Sequence, residues 1–127
     1  MSQWSPHVTV ATIVERDGRY LLVEEHAGGA CVLNQPAGHW EQGETLVEAA
    51  IRETLEETGW EVEPTHLLGI YEFEPEGLGY TFIRFAYLAL PLKHHPERQL
   101  DDGIVRALWL SEAELAEQLG RHRSPMV

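Results

Sequence analysis

The chain has 127 residues, 43% hydrophobic and 24% charged, which suits one soluble domain around one core and does not comfortably make two. Nine Lys and Arg stand against 21 Asp and Glu, a formal net charge of −12, so bulk electrostatics argue against nucleic acid or an anionic membrane as partner. One cysteine, Cys31, excludes an internal disulfide; with no signal peptide and no apolar run of transmembrane length, the expected location is the cytoplasm.

Met1–Ser5 reads as a loose lead-in, with Trp4 either a surface aromatic or one wall of a pocket. His7–Val14 is rich in β-branched residues and alternates, so it predicts a strand; Arg16-Asp17-Gly18 turns, and Arg19–Glu25 returns to complete a hairpin. Gly28-Gly29 marks a flexible link. Cys31–Leu33 is short and apolar, which predicts a packed core cysteine, and Asn34-Gln35-Pro36 breaks the run. After a helix considered below, His66–Phe73 predicts a strand, Glu74–Gly79 a hairpin loop, and Tyr80–Leu90 the strongest strand of the chain. Pro91–Gly103 reads as a polar loop. Its adjacent His94 and His95 lack the partner spacing of a zinc site; Asp101 and Asp102 suit a turn or cap role by the habits of Asp in loops, with an added acid at the site as the other reading. Ile104–Leu110 is a short strand, and Ser111 with Glu114 caps a second helix that Gly120 stops. No repeat or linker interrupts this order, which predicts an α/β fold of one layered domain, 1–127, with a mixed β-sheet flanked by helices.

The remaining stretch, Gly38 to Trp60, carries the chemistry. Thr45 and Glu48 form a capping box and Gly59 suits the left-handed C-terminal position, so a helix lies between them. Val47, Ile51, Thr54 and Leu55 fall on one flank, read as the core face, and Ala49 and Ala50 are small enough for another backbone to come close. Glu53, Glu56 and Glu57 point to one side. Like charges at that spacing repel, so a cation should gather them, and hard divalent cations prefer carboxylate oxygens. Arg52 is one turn from Glu48 and Glu56 and can orient a carboxylate; the glycines at both ends of Gly38–Gly43 let that loop bring its carbonyls towards the acids.

Gly38, Glu44, Arg52, Glu53, Glu56, Glu57, Gly59 and Trp60 occupy the places of the Nudix box, Gly-x5-Glu-x7-Arg-Glu-U-x-Glu-Glu-x-Gly-U with U bulky and apolar. Thr54 departs, standing where an aliphatic residue is usual. The chain thus resembles the Nudix hydrolases. Its PHVTV run at Pro6–Val10, NQPAGH at Asn34–His39, ETLVE at Glu44–Glu48 and RSP at Arg123–Pro125 look like one bacterial branch, small phosphatases acting on nucleoside tri- and diphosphates and on hydroxymethylpyrimidine pyrophosphate. Members of that branch continue past the RSP segment, whereas this chain stops at Val127, leaving open a naturally short protein or one that lacks a tail.

The resemblance implies a Nudix α/β/α sandwich and hydrolysis of phosphoanhydrides by water activated on a divalent metal, Mg²⁺ or also Mn²⁺. It implies Glu53, Glu56, Glu57 and the Gly38 carbonyl as metal ligands, with Glu57 or Glu56 as the base. Glu44 and Arg52 then hold the loop and orient the carboxylates. Arg84 is a candidate phosphate contact; Trp40, Phe73 and Tyr80 could stack a base or pyrimidine; His39 either approaches the phosphate or shapes the loop. The implied partner is a small phosphorylated substrate met by a monomer or homodimer. A nucleotide-sugar or ADP-ribose pyrophosphatase is the rival enzyme, and a non-catalytic nucleotide-binding module the rival outside catalysis, although such modules often lose box glutamates and this chain keeps all of them.

Overall fold

The computed structural model describes residues 4–75, 77 and 79–123. Its elements are β1 His7–Arg16, β2 Arg19–Ala27, β3 Ala30–Asn34, β4 Ala37–His39, α1 Leu46–Thr58, β5 Trp60–Phe73, β6 Phe82–His94, β7 Ile104–Ser111 and α2 Glu112–Glu117, followed by a 3₁₀ turn at Leu119–Arg121. Residues 1–3 of the expected lead-in and the Ser124-Pro125 part of the RSP run lie outside the described residues.

The strands form one mixed sheet in the order β3-β2-β1-β6-β5, with β4 also on β1 and β7 also on β2. β1 runs parallel to β6 from His7↔Phe82 to Val14↔Ala89, and the other pairings are antiparallel. Asp17 and Gly18 both take positive φ, 53° and 78°, the two-residue turn that matches the twist of β1 and β2. Several strands are longer than their sequence suggests. β5 starts at Trp60, ahead of the predicted His66, and β6 runs on past Leu90 through Pro91 to His94. Pro91 is tolerated because β5 shifts register between Glu61 and Val62, opposite it.

α1 packs on the β1 and β6 face: Ala49 and Ala50 lie fully buried against Val10 and Tyr87, with Leu46 and Phe85 at the margin. Ala49, Ala50, Thr54 and Thr58 are the buried residues, whereas Val47, expected in the core, is 41% exposed. The reason is approach distance: the helix lies close to the sheet along its smallest side chains and turns its bulkier flank away. Thr54 explains its departure from the box pattern. Its hydroxyl meets Thr12 Oγ1 at 2.8 Å and donates to the Ala50 carbonyl at 2.8 Å, so a polar pair sits where an aliphatic side chain would otherwise pack. A second cluster, Val14, Leu21, Val62 and Ala89, fills the space beside Trp60 and Trp109. A third, Leu22, Leu33 and Leu110, receives Leu115 of α2.

Cys31 is not a core residue. It is exposed near the start of β3, opposite His26, with Sγ 3.6 Å from His26 Nδ1, and burial sets in only further along the strand, at Leu33 and Asn34. α2 ends at Glu117 with Gln118 as its cap, so Gly120 falls inside the 3₁₀ turn rather than stopping the helix. Among the described residues no helix is long and apolar enough to cross a membrane.

Candidate functional site

The site begins with the caps of α1. Thr45 Oγ1 accepts from the Glu48 N–H at 3.0 Å and Glu48 returns an acceptor to the Thr45 N–H at 2.8 Å. Glu48 is therefore occupied at the N-terminus, and Arg52 turns elsewhere than expected on that side. Its guanidinium takes both oxygens of Glu44, at 2.8 and 3.0 Å, then Glu53 at 2.7 Å and Glu56 at 3.2 Å, and donates to the His39 carbonyl at 3.0 Å. One planar fork thus fastens the 38–44 loop to the acidic face of the helix. The Arg52 hydrogen bond is also what holds the Glu44 carboxyl below the usual carboxylate range.

Gly38 sits where backbone and acid meet. A Cβ on it would overlap all three atoms of the Glu53 carboxyl group, so the position admits only glycine without displacement of that side chain. Burial raises the Glu53 pKa first, and the charges of Glu56 and Asp101 add to this, while Arg52 opposes. Glu57 leans from the same helix towards β4, where its Oε1 accepts from the Ala37 N–H at 2.9 Å. Its pKa is pushed up to about 8, by burial foremost and then by Glu53, Glu25 and Asp101 against the pull of the Ala37 hydrogen bond.

Asp101 completes the acid group, the second of the two readings its loop position left open. Carboxylate oxygens of Glu53, Glu56 and Asp101 lie within 4.8 Å of one another. The 95–103 loop is fastened to the end of α1: the His95 N–H donates to the Gly59 carbonyl at 2.8 Å, and the Asp101 N–H to the Glu56 carbonyl at 3.1 Å. Gly59, at φ 76°, is the left-handed cap that exposes that carbonyl. The donor set is all oxygen and mutually repulsive, half-buried at Glu53 and Glu56 and exposed at Asp101, and it fits a hard divalent cation. His94 and His95 are used otherwise, His94 stacked on Trp60 at 4.7 Å and His95 beside Glu61 at 3.2 Å.

The acids open into a cleft of about 680 Å³. Glu53, Glu57 and Gly38 line it together with Arg84 and Arg123, and His39, Phe73, Tyr80 and Phe82 supply rings. His7 joins those rings, 4.5 Å from Tyr80 and 5.5 Å from Phe82. Of the residues singled out in sequence, Gly38, His39, Glu53, Glu57, Phe73, Tyr80 and Arg84 meet here. Trp40 does not: it is 47% exposed, and its Nε1 donates to the Glu44 carbonyl at 2.8 Å, which closes the loop on itself. Trp4 is 72% exposed and lines no part of the cleft. Sequence reasoning missed His7, Glu25, Asn34 and Phe82, and took Arg123 only as part of a terminal motif; nothing local distinguishes them, and Glu25 and Arg123 are 98 positions apart.

Comparison with known proteins agrees with this geometry. The family model for the NUDIX domain matches residues 5–127. Phosphatase NudJ of Escherichia coli K12 is 40% identical over 125 residues, which cover 98% of this chain and 80% of that protein. A NUDIX hydrolase from Nitrosomonas europaea superposes with a TM-score of 0.94 at 47% identity, covering 97% of this chain and 84% of the other. The MutT NUDIX hydrolase of Burkholderia pseudomallei gives 0.76 at 26% identity, covering 87% of each.

Proposed function

Given that the chain belongs to the Nudix hydrolase family, we propose that it hydrolyses phosphoanhydride bonds of nucleoside di- and triphosphates or related small pyrophosphates, with Mg²⁺ as cofactor and Mn²⁺ as substitute. The observation that carries this reading is one cleft in which acids, arginines and aromatic rings meet. Glu53, Glu56, Glu57 and Asp101, with the Gly38 carbonyl, are the groups to hold the metal. A bound divalent ion supplies charge neutralisation for phosphate oxygens and acidifies water.

The protein's own residues do the rest. Glu57, with Oε1 held by the Ala37 N–H, or Glu56 takes the proton of the attacking water. Arg52 and Glu44 keep the loop and the acids in register. Arg84 binds phosphate. Tyr80 and Phe73, with Phe82, His7 and His39 beside them, stack a flat heterocycle, a role that Trp40 on the outer loop is not placed to share. The relative named a phosphatase favours orthophosphate as the leaving product. Cytoplasmic location and a small-molecule partner follow the same reading. A nucleotide-sugar or ADP-ribose pyrophosphatase is the second enzyme reading, and the retained box acids speak against a module that only binds.

The test is release of phosphate and pyrophosphate with Mg²⁺ from nucleoside di- and triphosphates, hydroxymethylpyrimidine pyrophosphate, a nucleotide sugar and ADP-ribose. Metal-dependent release of orthophosphate from the first three, lost in Glu57→Gln, supports the proposal. Turnover confined to the sugar or ADP-ribose overturns the substrate choice, and ligand binding without turnover overturns catalysis.

A further inference from the structure

Two guanidinium groups line the cleft together, and only one of them sits on a strand that the sequence pointed to. Arg84 projects from near the start of β6, where Thr9 and Tyr71 are its neighbours in register. Arg123 arrives from the other end of the chain. The segment that carries it is fixed: His122 bridges Leu33 in parallel, the Arg123 N–H donates to the Leu33 carbonyl at 2.8 Å, and Arg121 pairs with Glu24.

Both side chains are held by buried polar residues of β2, β3 and the turn that follows. Arg84 Nη1 donates to Gln35 Oε1 at 3.1 Å, and Arg123 Nη1 to Glu25 Oε1 at 2.7 Å. Glu25 in turn accepts from Asn34 Nδ2 at 3.5 Å. Glu25, Asn34 and Gln35 are each 9% exposed or less, so these anchors are preset. Each guanidinium has five N–H donors and uses one of them in these contacts. The buried Arg84 Nε has no partner among the described residues, and an unmet buried donor is costly. Of the box acids, Glu53 and Glu56 are paired with Arg52, and Glu57 accepts from the Ala37 N–H while its charge, with that of Glu25, acts on Arg84. Two guanidinium groups side by side, each with most of its N–H donors unspent and Arg84 Nε unmet, are suited to an anion that both receive.

Resting on the hydrolase reading above, we propose that Arg123 with Arg84 binds the substrate phosphate that does not lie on the acid cluster, and that Glu25 is the positioning residue that aims Arg123. The paired site selects diphosphates over monophosphates, because a diphosphate has a second phosphate for the arginines when its first lies on the acids, and an orthophosphate has none.

The experiment is calorimetric titration of the whole protein with inorganic pyrophosphate and, separately, orthophosphate in Mg²⁺, alongside Arg123→Ala, Arg123→Lys and Glu25→Gln, with thermal unfolding of each. Arg123→Ala is expected to weaken pyrophosphate binding about tenfold or more, the scale of one charge-assisted hydrogen bond, and to change orthophosphate binding about twofold at most. Arg123→Lys keeps the Glu25 ion pair but loses the fork, so it should hold its melting temperature and still lose pyrophosphate affinity, which a purely structural tie would not do. Glu25→Gln should fall between Arg123→Lys and wild type. Pyrophosphate affinity unchanged within twofold in Arg123→Ala and Arg123→Lys overturns the proposal, as does failure of the wild type to bind pyrophosphate while it hydrolyses another substrate. Pyrophosphate binding that depends on Arg123 in a protein that hydrolyses nothing would retain this site and overturn the catalytic reading instead.

Discussion

Replacing Glu57 by Gln keeps the shape of the side chain and an oxygen for the Ala37 N–H, and deletes only the acid. In the metal-free protein that acid titrates at about 8, whereas an unfolded chain releases the same proton near 4.5. The folded state thus holds the proton more tightly. The stability this contributes is complete below pH 4.5 and is lost as pH rises through 8. At about 1.4 kcal/mol per pH unit the whole span has a ceiling of roughly 5 kcal/mol, which the effective dielectric of an open cleft reduces to roughly 2 kcal/mol. Urea unfolding in EDTA between pH 5 and 9 should show wild type losing that stability with rising pH while Glu57→Gln stays flatter. Near pH 9 the variant should be the more stable protein. Mg²⁺ at about 100 times its dissociation constant should return about 2.7 kcal/mol to wild type and clearly less to the variant. Turnover should drop by about 10²-fold or more. Parallel pH profiles for the two proteins in EDTA, with equal stabilisation by Mg²⁺, refute the reasoning.

Gly38→Ala forces the Glu53 carboxyl away, so it should cost about 1–3 kcal/mol in urea unfolding and weaken metal binding; unchanged Mg²⁺ affinity would show that Glu53 is not a ligand. Asp101→Asn removes one carboxylate from the cluster and leaves its backbone hydrogen bonds, so metal affinity should fall about tenfold with little change of stability in EDTA, as read by Mn²⁺ titration. Thr54→Val keeps the β-branched shape but strands the buried Thr12 hydroxyl, for about 1–3 kcal/mol lost in stability with KM unaltered; a loss under about 0.3 kcal/mol would mean that Thr12 finds another partner.

Much of this protein could be read in the chain because local chemistry wrote it there. The capping boxes at Thr45 and Ser111, the left-handed Gly59, the Asp17-Gly18 turn and the β-branched run of β1 each depend on residues a few positions apart. The acid spacing of α1 belongs to the same class, since helix geometry alone puts Glu53, Glu56 and Glu57 on one side. Tertiary structure decided what depends on approach between distant segments. It buried Ala49 and Ala50 rather than Val47, because closeness to β1 and β6 rewards small side chains over hydrophobic ones. It gave Thr54 a polar partner 42 positions away. It brought Asp101 to Glu53 and Glu56 through two backbone hydrogen bonds at the end of α1, and carried Arg123 to Glu25 across 98 positions. The sequence by itself therefore determined which acids exist and which face they share; only the folded sheet determined which loop joins them and which cations stand beside them, because neither is within reach of the helix until the chain closes.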